Sequence, residues 1–319
     1  MNYLITGGAG FIGGHLSELL IKENHNVTVI DNLSTGDINN LSNIANHANF
    51  SFIEDDILTT DKLDSLIKNC DFVYHLAAAV GVDLVVKEPA KTIETNVHGT
   101  EVVLKYITKY NKKALITSTS EVYGKSTKAE FSETDDLLIG PSTHSRWSYA
   151  CSKLLDEFYA MAFYRSHKTP ITIVRLFNTV GPRQTGHYGM VVPRFVESAI
   201  NNKNVTVYGN GEQTRCFCHV FDTIRALYKL STTEDVAGKV FNIGNTHSIS
   251  ILQLAEKIIA ETNSKSSIEF IPYSKAYEEG FEDMMHRKPN NSLIKETINW
   301  DTKLTLEDII QDVQESMRN

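Results

Sequence analysis

Short apolar runs alternate with longer segments of helical periodicity through the first half of the chain. The apolar runs predict strands at residues 3–6, 27–31, 50–53, 72–75, 114–118 and 171–175. Between them, apolar residues recur at helical spacing and predict helices at residues 11–23, 61–69, 91–110 and 148–167. Strands that alternate with helices form parallel sheets with right-handed crossovers and helices on both faces. The pattern therefore predicts an α/β fold built on a doubly wound parallel sheet.

The pattern changes after residue 175, where glycine and proline interrupt the chain repeatedly between residues 181 and 193. One further strand at 240–243 and amphipathic helices at 251–261 and 306–317 come after this stretch. We expect a smaller C-terminal lobe over the carboxyl ends of the strands, where open α/β sheets bind ligands. The predicted division assigns 1–176, plus about 217–246, to the sheet domain, and 177–216 with 247–319 to a substrate-binding lobe.

Composition narrows the class of protein. The 319 residues include 31 Lys and Arg against 39 Asp and Glu, a net charge of −8 without a basic stretch, which argues against a nucleic-acid partner. No apolar run approaches the ~20 residues that a membrane-spanning helix needs. Four cysteines are too few for a disulfide framework, and the chain begins in a strand with no room for a signal peptide, so we expect reduced thiols and a cytoplasmic location.

The first candidate site is a glycine-rich turn. Gly7, Gly10 and Gly13 come directly after the first strand and open the first helix, an arrangement that brings backbone N–H groups close to a pyrophosphate. Asp31 ends the second strand, where its carboxylate can accept a hydrogen bond from a ribose 2′-hydroxyl and would repel a 2′-phosphate. The sequence therefore predicts a Rossmann-like domain that binds NAD rather than NADP, with a turn needed only for packing as the alternative.

A second candidate is the pair Tyr149 and Lys153. Residues four apart share a helix face, so the ammonium can lower the pKa of the phenol, which could then act as a general base for a sugar hydroxyl. Tyr164 and Lys168 repeat the spacing about 22 Å further along the same helix. The position of Tyr149, just after the strand that ends at 118 and near the cofactor crevice, favours the first pair.

Together these motifs resemble the extended short-chain dehydrogenases/reductases that modify nucleotide sugars. The resemblance covers nearly the whole chain. It depends on TGGAGFIG at 6–13, Asp56-Ile57, HLAA at 75–78, Asn96, EVYG at 121–124, the Tyr149 and Lys153 pair, RLFNTVGP at 175–182 and HRKP at 286–289.

The resemblance implies oxidation of a sugar C4 hydroxyl by bound NAD⁺, with Tyr149 as the base, Lys153 orienting the nicotinamide ribose and Thr119 hydrogen-bonded to the reacting hydroxyl. It implies a cofactor-binding set of Gly7, Gly10, Phe11, Ile12, Gly13, Asp31, Asn32, Asp56, Ile57, Leu76, Ala77, Ala78, Asn96, Tyr149 and Lys153. It also implies a substrate-binding set of Asn178, Val192, Tyr208, Arg215 and Arg287. Within that set, Asn178 and Arg215 match positions that hold the substrate diphosphate.

The sequence Thr119-Ser120-Glu121 bears on the fate of the oxidised sugar. A 4-keto sugar can be reduced on the opposite face, dehydrated between C5 and C6, or decarboxylated when C6 is a carboxylate. In the 4,6-dehydratases an aspartic acid stands where this chain has Ser120, and serine lacks the acid that would protonate the leaving hydroxyl. Thr-Ser-Glu is similar to the UDP-glucuronate decarboxylases, which place a pair matching Glu121 and Arg287 around the uronate. The preferred hypothesis is therefore a decarboxylase, with Tyr149, Lys153, Thr119, Ser120, Glu121 and Arg287 in the chemistry.

Other interpretations stay open. In 4-epimerases an arginine near Arg287 clamps the diphosphate, Glu121 could be a buried structural carboxylate, and the stretch 181–190 also resembles sequences described as 4-epimerases. A 4,6-dehydratase is a weaker alternative, and a non-catalytic NAD(H) sensor is another, because fold alone does not guarantee chemistry.

Two further expectations concern metals and partners. Cys216, Cys218 and His219 could suggest zinc, but their alternation is typical of a strand and no further ligand pair is spaced to complete a site, so we predict no metal. The helices predicted at 91–110 and 148–167 carry broad apolar faces. In the resembling family their counterparts form a four-helix dimer interface, which predicts a homodimer.

Overall fold

The computed structural model describes residues 1–81, 88–186, 190–276 and 284–318. The strands that it contains are β1 (Asn2–Thr6), β2 (Asn26–Asp31), β3 (Phe50–Glu54), β4 (Phe72–His75), β5 (Lys113–Thr119), β6 (Ile171–Leu176), β7 (Thr179–Val180), β8 (Val205–Tyr208), β9 (Thr214–Cys216), β10 (Cys218–His219), β11 (Val240–Ile243), β12 (Ser248–Ser250) and β13 (Ile268–Ile271). The helices are α1 (Phe11–Lys22), α2 (Leu63–Asn69), α3 (Pro89–Lys109), α4 (Trp147–His167), α5 (Val191–Ile200), α6 (Val220–Thr232), α7 (Ile251–Glu261), α8 (Tyr273–Ala276), α9 (Ser292–Ile298) and α10 (Leu306–Arg318). Two 3₁₀ turns cover Ile38–Leu41 and Ser120–Tyr123.

Seven of the described strands form one parallel sheet in the order β11-β6-β5-β4-β1-β2-β3. The predicted α/β class is confirmed. The chain direction across the sheet reverses between β1 and β4, so the loops after these two strands diverge and leave a crevice at the carboxyl edge. Thr6 pairs with His75 in this register. The residues that follow them, Gly7 and Leu76, line this crevice.

Alternation along the strands builds a core on each face of the sheet. In β1, Tyr3 and Ile5 pack into a cluster with Leu16 and Leu20 of α1, whereas Leu4 packs into the cluster on the opposite face. These side chains are at most 1% exposed. Because helices cover both faces, the strands bury apolar side chains on both sides of the sheet, as is typical of parallel sheets.

A third apolar cluster lies apart from the large sheet and joins α5, α7 and α10 with the β8–β13 pair. Phe195, Leu254 and Ile310 are buried within it. The helices predicted at 251–261 and 306–317 supply its apolar faces, and the first of them begins with a capping box between Ser250 and Gln253. The assignment of this region to a separate lobe stays a prediction.

Most predicted boundaries fall within two residues of the observed ones, and the differences have local reasons. The helix predicted from residue 91 begins earlier, at Pro89, because proline is accommodated in the first helical turn. The segment around Cys216 and Cys218 is not one strand: β9 pairs with β12, β10 pairs with β7, and Phe217 separates them.

Candidate active site

The predicted site residues converge on one cavity of about 1210 Å³ at the carboxyl edge of the sheet. Its lining includes every residue predicted for the cofactor, the chemistry and the substrate except Asn96 and Ser120. The residues predicted from the sequence are spread along the chain from Gly7 to Arg287, and the fold brings them together. The individual roles remain predictions.

The glycine-rich turn is shaped by close backbone packing. Gly7 has a φ of +74°, and a Cβ there would lie 2.6 Å from the amide nitrogen of Ala77. A Cβ on Gly13 would lie 2.5 Å from the carbonyl oxygen of Gly7. The helix α1 starts immediately after Gly10, so its unpaired N-terminal N–H groups face the cavity edge. The turn thus has the shape of an anion cradle at a helix N-terminus.

Asp31 supports this turn as well as lining the cavity. Its Oδ2 accepts a hydrogen bond from the Ala9 amide at 3.0 Å, and its Oδ1 accepts one from the Leu33 amide at 2.8 Å. Burial raises the pKa of its carboxyl group, although both amide hydrogen bonds oppose the rise. Each carboxylate oxygen can accept more than one hydrogen bond, so a ribose hydroxyl can still be received. This loop-fixing contact was not foreseen from the sequence.

Asn96 lies behind the cavity wall. Its Oδ1 accepts a hydrogen bond from the Ala79 amide at 2.7 Å, and its Nδ2 donates to the Ala79 carbonyl at 3.3 Å and to Ser152 Oγ at 3.0 Å. Asn96 thus fixes the backbone that lines the cavity after β4 and links it to α4. The geometry supports an indirect role in place of the direct cofactor contact that was predicted.

The catalytic candidates Thr119 and Tyr149 come from the end of β5 and the first turn of α4. Burial raises the pKa of the Tyr149 phenol well above its usual value, the negative charge of Glu121 raises it further, and a hydrogen bond with Thr119 opposes the rise. The helical spacing led us to expect that Lys153 lowers this pKa. The net pKa is nevertheless raised, because burial and Glu121 prevail, and the effect of Lys153 on the phenol stays a prediction.

Lys153 is held by a carboxylate that the sequence pattern did not single out. Its Nζ donates to Asp156 Oδ2 at 2.7 Å, and both side chains are buried. Lys153 also acts on His75, whose pKa falls to about 3 because of burial and, to a smaller degree, the ammonium charge. The Lys153 charge is thus offset by Asp156 within the same helix.

Glu121 lies between two arginines. The turn that begins at Ser120 is capped by Thr119, whose Oγ1 accepts a hydrogen bond from the Glu121 amide at 3.2 Å. Arg287 Nη1 donates to Glu121 Oε1, and Arg146 Nη2 donates to Glu121 Oε2 at 3.4 Å. These contacts join residues that lie far apart in the chain.

The arginines determine the charge state of Glu121. Burial alone would raise the pKa of its carboxyl group, but the charges of Arg146, Arg287 and Arg215 outweigh that effect and lower it to about 2. Glu121 is therefore ionised throughout the physiological range. Ser120 beside it is fully buried, and its Oγ has no hydrogen-bond partner among the described residues.

The remaining substrate candidates also line the cavity. Arg287 Nη2 donates to Asn178 Oδ1 at 2.6 Å, and Arg215 Nη1 donates to the Met284 carbonyl at 2.7 Å. Tyr208 lies under the guanidinium of Arg194, 4.4 Å from the ring centroid. Val192 is buried at the start of α5 and also lines the cavity.

Sequence reasoning missed three charged residues of the site: Arg146, Asp156 and Arg194. The signal for the first two was available, since Arg146 lies three residues before Tyr149 and Asp156 three residues after Lys153, each on a shared helix face. Arg194 gives no such local signal, because only the tertiary fold brings it over Tyr208.

Metal ligands and membrane-spanning helices are both lacking among the described residues. No three His, Cys, Asp or Glu side chains are grouped closely enough to hold a metal ion in the part of the chain that the structure describes. Among those same residues, no helix combines the length and the apolar character needed to cross a membrane.

Comparison with known proteins gives consistent findings. A family model described as GDP-mannose 4,6 dehydratase matches residues 4–313. A UDP-N-acetyl-alpha-D-glucosaminuronate decarboxylase of Bacillus cytotoxicus is 42% identical, over 92% of this chain and 90% of that protein. UDP-glucuronic acid decarboxylase 1 of Arabidopsis thaliana is 34% identical over 100% of this chain and 70% of that protein.

Solved structures with the same fold include a UDP-glucuronic acid 4-epimerase from Bacillus cereus in complex with UDP-glucuronic acid and NAD. It is 28% identical with a TM-score of 0.88, covering 100% of this chain and 99% of that one. A UDP-glucose 4-epimerase from Thermotoga maritima with UDP-glucose is 30% identical, also with a TM-score of 0.88 and the same coverage.

Proposed function

Because the chain belongs to the GDP-mannose 4,6-dehydratase family of extended short-chain dehydrogenases/reductases that modify nucleotide sugars, we propose that it is an NAD-dependent UDP-uronate decarboxylase. The observation that carries the proposal is Glu121, ionised and placed between Arg146 and Arg287 in the same cavity as Tyr149. The similarity to decarboxylases at 42% and 34% identity supports it.

NAD is the cofactor that the described residues fit. The Gly7 and Gly13 turn leaves no space for a Cβ and presents helix N-terminal amides, and Asp31 offers a carboxylate to a ribose hydroxyl. A complex with NAD has been solved for the similar 4-epimerase of B. cereus. When bound, NAD⁺ supplies the hydride acceptor for C4 of the sugar, and Lys153 is the residue proposed to hold its nicotinamide ribose.

In the proposed reaction, Tyr149 removes the proton of the C4 hydroxyl while Thr119 hydrogen-bonds to the same oxygen. The resulting 4-keto uronate is a β-keto acid. Its C5–C6 bond breaks to release CO₂, the bonding electrons move onto the C4 oxygen as an enolate, and a proton then adds at C5. Glu121 favours the loss by repelling the carboxylate that departs, and Arg287 balances its charge. Ser120 offers no acid for loss of a hydroxyl, which disfavours 4,6-dehydration.

The experiment is product analysis with pure protein, NAD⁺ and either UDP-glucuronate or UDP-N-acetylglucosaminuronate. Release of CO₂, detected by mass spectrometry and by NMR of the sugar, is the expected result. We propose the 2-acetamido sugar as the better substrate, because the relative of higher identity carries that name. Failure to release CO₂ from either uronate contradicts the proposal.

A 4-epimerase is the second candidate, and one observation favours it. Arg287 donates to Asn178 as well as to Glu121, so it is also placed to clamp a diphosphate. The solved structures of similar fold include 4-epimerases for UDP-glucuronic acid and UDP-glucose. A product of unchanged mass with inverted configuration at C4 would identify this activity and return Glu121 to a structural role.

We also propose that two copies pair through α3 and α4. These helices pack on each other, yet Ile93 of α3 and Leu155 and Phe158 of α4 keep apolar side chains exposed, Phe158 by 65%. Such a face on two neighbouring helices suits a symmetric helix bundle. Sedimentation is expected to give a particle of twice the 35.8 kDa chain, and a monomer at micromolar concentration contradicts the proposal.

A further inference from the structure

A short loop after β7, residues 181–186, carries an arginine that the proposed chemistry does not use. The loop stands in the chain between Asn178 and Val192, which both belong to the predicted substrate set, and its Arg183 and Gln184 line the cavity. Arg183 has a φ of +67°, a left-handed conformation that residues with a Cβ rarely adopt. Such a conformation persists at a cavity wall only where the surrounding contacts enforce it. The contacts of the Arg183 side chain therefore bear on the function of the loop.

The guanidinium of Arg183 is attached to two elements of the cofactor end. Its Nη1 and Nη2 donate to Oε1 and Oε2 of Glu18 in α1 at 2.9 and 2.8 Å, which is a bidentate ion pair. Its Nη1 also donates to the Asn40 carbonyl at 2.8 Å. Asn40 Nδ2 in turn donates to the Ala9 carbonyl of the glycine-rich turn at 2.9 Å. The loop is thus fixed to the helix that begins in this turn and to a neighbour of the turn itself.

His15 of α1 joins the same loop and is held in one protonation state by it. Its Nε2 lies 2.9 Å from the Pro182 carbonyl, which can only accept, so Nε2 carries the proton. Its Nδ1 lies 2.5 Å from Arg183 Nη2 and therefore accepts from the guanidinium. Both contacts require a neutral imidazole, and burial is the main reason that the pKa of His15 falls to about 4. α1 thus holds the loop through a backbone carbonyl and through the next side chain.

The two sides of this network depend on Arg183 unequally. The glycine-rich turn keeps a support of its own, since the Ala9 amide donates to Asp31. The loop has a local contact in which Gln184 Nε2 donates to the Thr179 carbonyl at 3.1 Å. The Arg183 side chain, however, supplies four of the contacts that attach the loop to the cofactor end. Loss of these contacts should loosen the loop more than the turn.

We propose that Arg183 is a positioning residue that holds the loop 181–186 in the geometry to which the nucleotide sugar binds. Arg183 acts through its pair with Glu18, which fixes the loop to α1, and not through contact with the sugar nucleotide. The inference rests on the proposed function for the substrate class. It does not depend on whether the keto sugar is decarboxylated or epimerised, because it concerns binding.

The test measures two ligands by calorimetry. NADH is titrated into the cofactor-free protein, and UDP-glucuronate is titrated with NADH bound, so that C4 cannot be oxidised. Arg183→Gly removes the guanidinium and also relieves the positive φ, so the backbone itself favours the variant. It is expected to weaken UDP-glucuronate by about 10-fold, because the loosened loop must be ordered again on binding, and to change NADH by less than about twofold. Equal weakening of both ligands, or no weakening of UDP-glucuronate, overturns the inference.

Glu18 supplies the test of an indirect role, because it is not among the residues that line the cavity. Glu18→Ala is expected to reproduce the loss of UDP-glucuronate affinity, and the double variant with Arg183→Gly should lose no more than either single one. Wild-type affinity in Glu18→Ala, together with a loss in Arg183→Gly, would mean that Arg183 touches the ligand and would reject positioning. Lys257→Met, which breaks an ion pair of similar exposure with Glu307 outside the cavity, should change neither affinity.

A conservative replacement separates positioning from general support of the fold. Arg183→Lys keeps a charge for Glu18 but lacks the planar fork that also reaches the Asn40 carbonyl. We expect it to retain about half of the wild-type advantage over Arg183→Gly on a logarithmic scale. If Arg183→Gly does not fold, Arg183→Lys and Glu18→Ala serve as the test, and wild-type affinity in both overturns the inference.

The outcome can be distinguished from that of the decarboxylation assay. A wild-type protein that epimerises UDP-glucuronate, combined with the selective loss in Arg183→Gly, rejects the proposed function and keeps the role of Arg183. A wild-type protein that releases CO₂, combined with unchanged affinities in the variant, rejects only the role of Arg183.

Discussion

The two ends of the cavity are built in different ways. The cofactor end is built around a glycine turn and the end of the neighbouring strand β2, and its shape depends on glycine and on backbone hydrogen bonds to Asp31. The sugar end joins Glu121, Arg146 and Arg287, which come from three separate segments and interact through charge. A local motif thus supplies one end, and long-range assembly supplies the other.

This difference determines what each end tolerates. At the cofactor end a single added methyl group at Gly7 or Gly13 meets backbone atoms. At the sugar end the balance of positive and negative groups keeps Glu121 ionised, with its pKa at about 2. Substitutions at each end can test whether steric and electrostatic sensitivity are divided in this way.

Replacement of Tyr149 has the largest expected effect on activity. Tyr149→Phe removes the proposed base and should lower kcat by about 10³- to 10⁴-fold, near the upper range for general base catalysis. Binding of NAD and of UDP-glucuronate, measured by calorimetry, should change by less than about twofold. Tyr164→Phe is the matched control, because Tyr164 repeats the spacing to a lysine and packs near Gly238 away from the cavity. Unchanged turnover in Tyr149→Phe contradicts the catalytic assignment.

How much of the structure can be predicted from the sequence also differs between local motifs and long-range contacts. Short apolar runs and helical patterns predicted the sheet and its helices, and the glycine turn with Asp31 was predicted because neighbours in sequence form it. Spacing alone could not distinguish Tyr149 from Tyr164; the preceding strand did. Arg194 depends on tertiary contacts that no local pattern encodes.

The charge environment was the least predictable feature. Lys153 was expected to lower the pKa of Tyr149, but its ammonium is paired with Asp156, and burial prevails. Desolvation and many-body charge effects depend on depth and distance, which a sequence does not contain.

At the cofactor end, Gly13→Ala should reduce NAD affinity by about 100-fold or more, because the new Cβ would lie 2.5 Å from the Gly7 carbonyl oxygen and force the turn apart. Gly186→Ala is the control, since its Cβ would meet no atom closer than 3.4 Å, and it should leave the affinity unchanged. Titration of NAD by fluorescence quenching measures both. Equal affinities for the two variants would show that the turn is not sterically limited.

At the sugar end, Glu121→Gln should destabilise the fold by about 1–3 kcal/mol at neutral pH, because it removes the carboxylate charge that faces Arg146 and Arg287. The folded-state pKa is depressed from 4.5 to about 2, so the stabilising contribution is fully present above pH 4.5 and is lost as the pH falls towards 2. Urea unfolding of wild type and variant should therefore give a constant difference between pH 7 and 5 that narrows below 4.5. Glu130→Gln, which breaks an exposed pair with Lys288, should cost about 0–1 kcal/mol.

The smallest expected effect concerns the buried ion pair of Lys153 and Asp156. Asp156 offsets the charge of Lys153 and raises the pKa of Tyr149, although less than burial, Glu121 and the Thr119 contact affect it. Asp156→Asn keeps the shape of the side chain and removes its charge, so the Lys153 ammonium acts on the phenol without compensation. The pKa of Tyr149 should fall, and the acidic limb of the kcat/KM profile, which reports deprotonation of the base, should move to lower pH. A variant of native thermal stability whose acidic limb stays in place would mean that Asp156 only anchors the helix and that the electrostatics of the base are determined entirely by the sugar end.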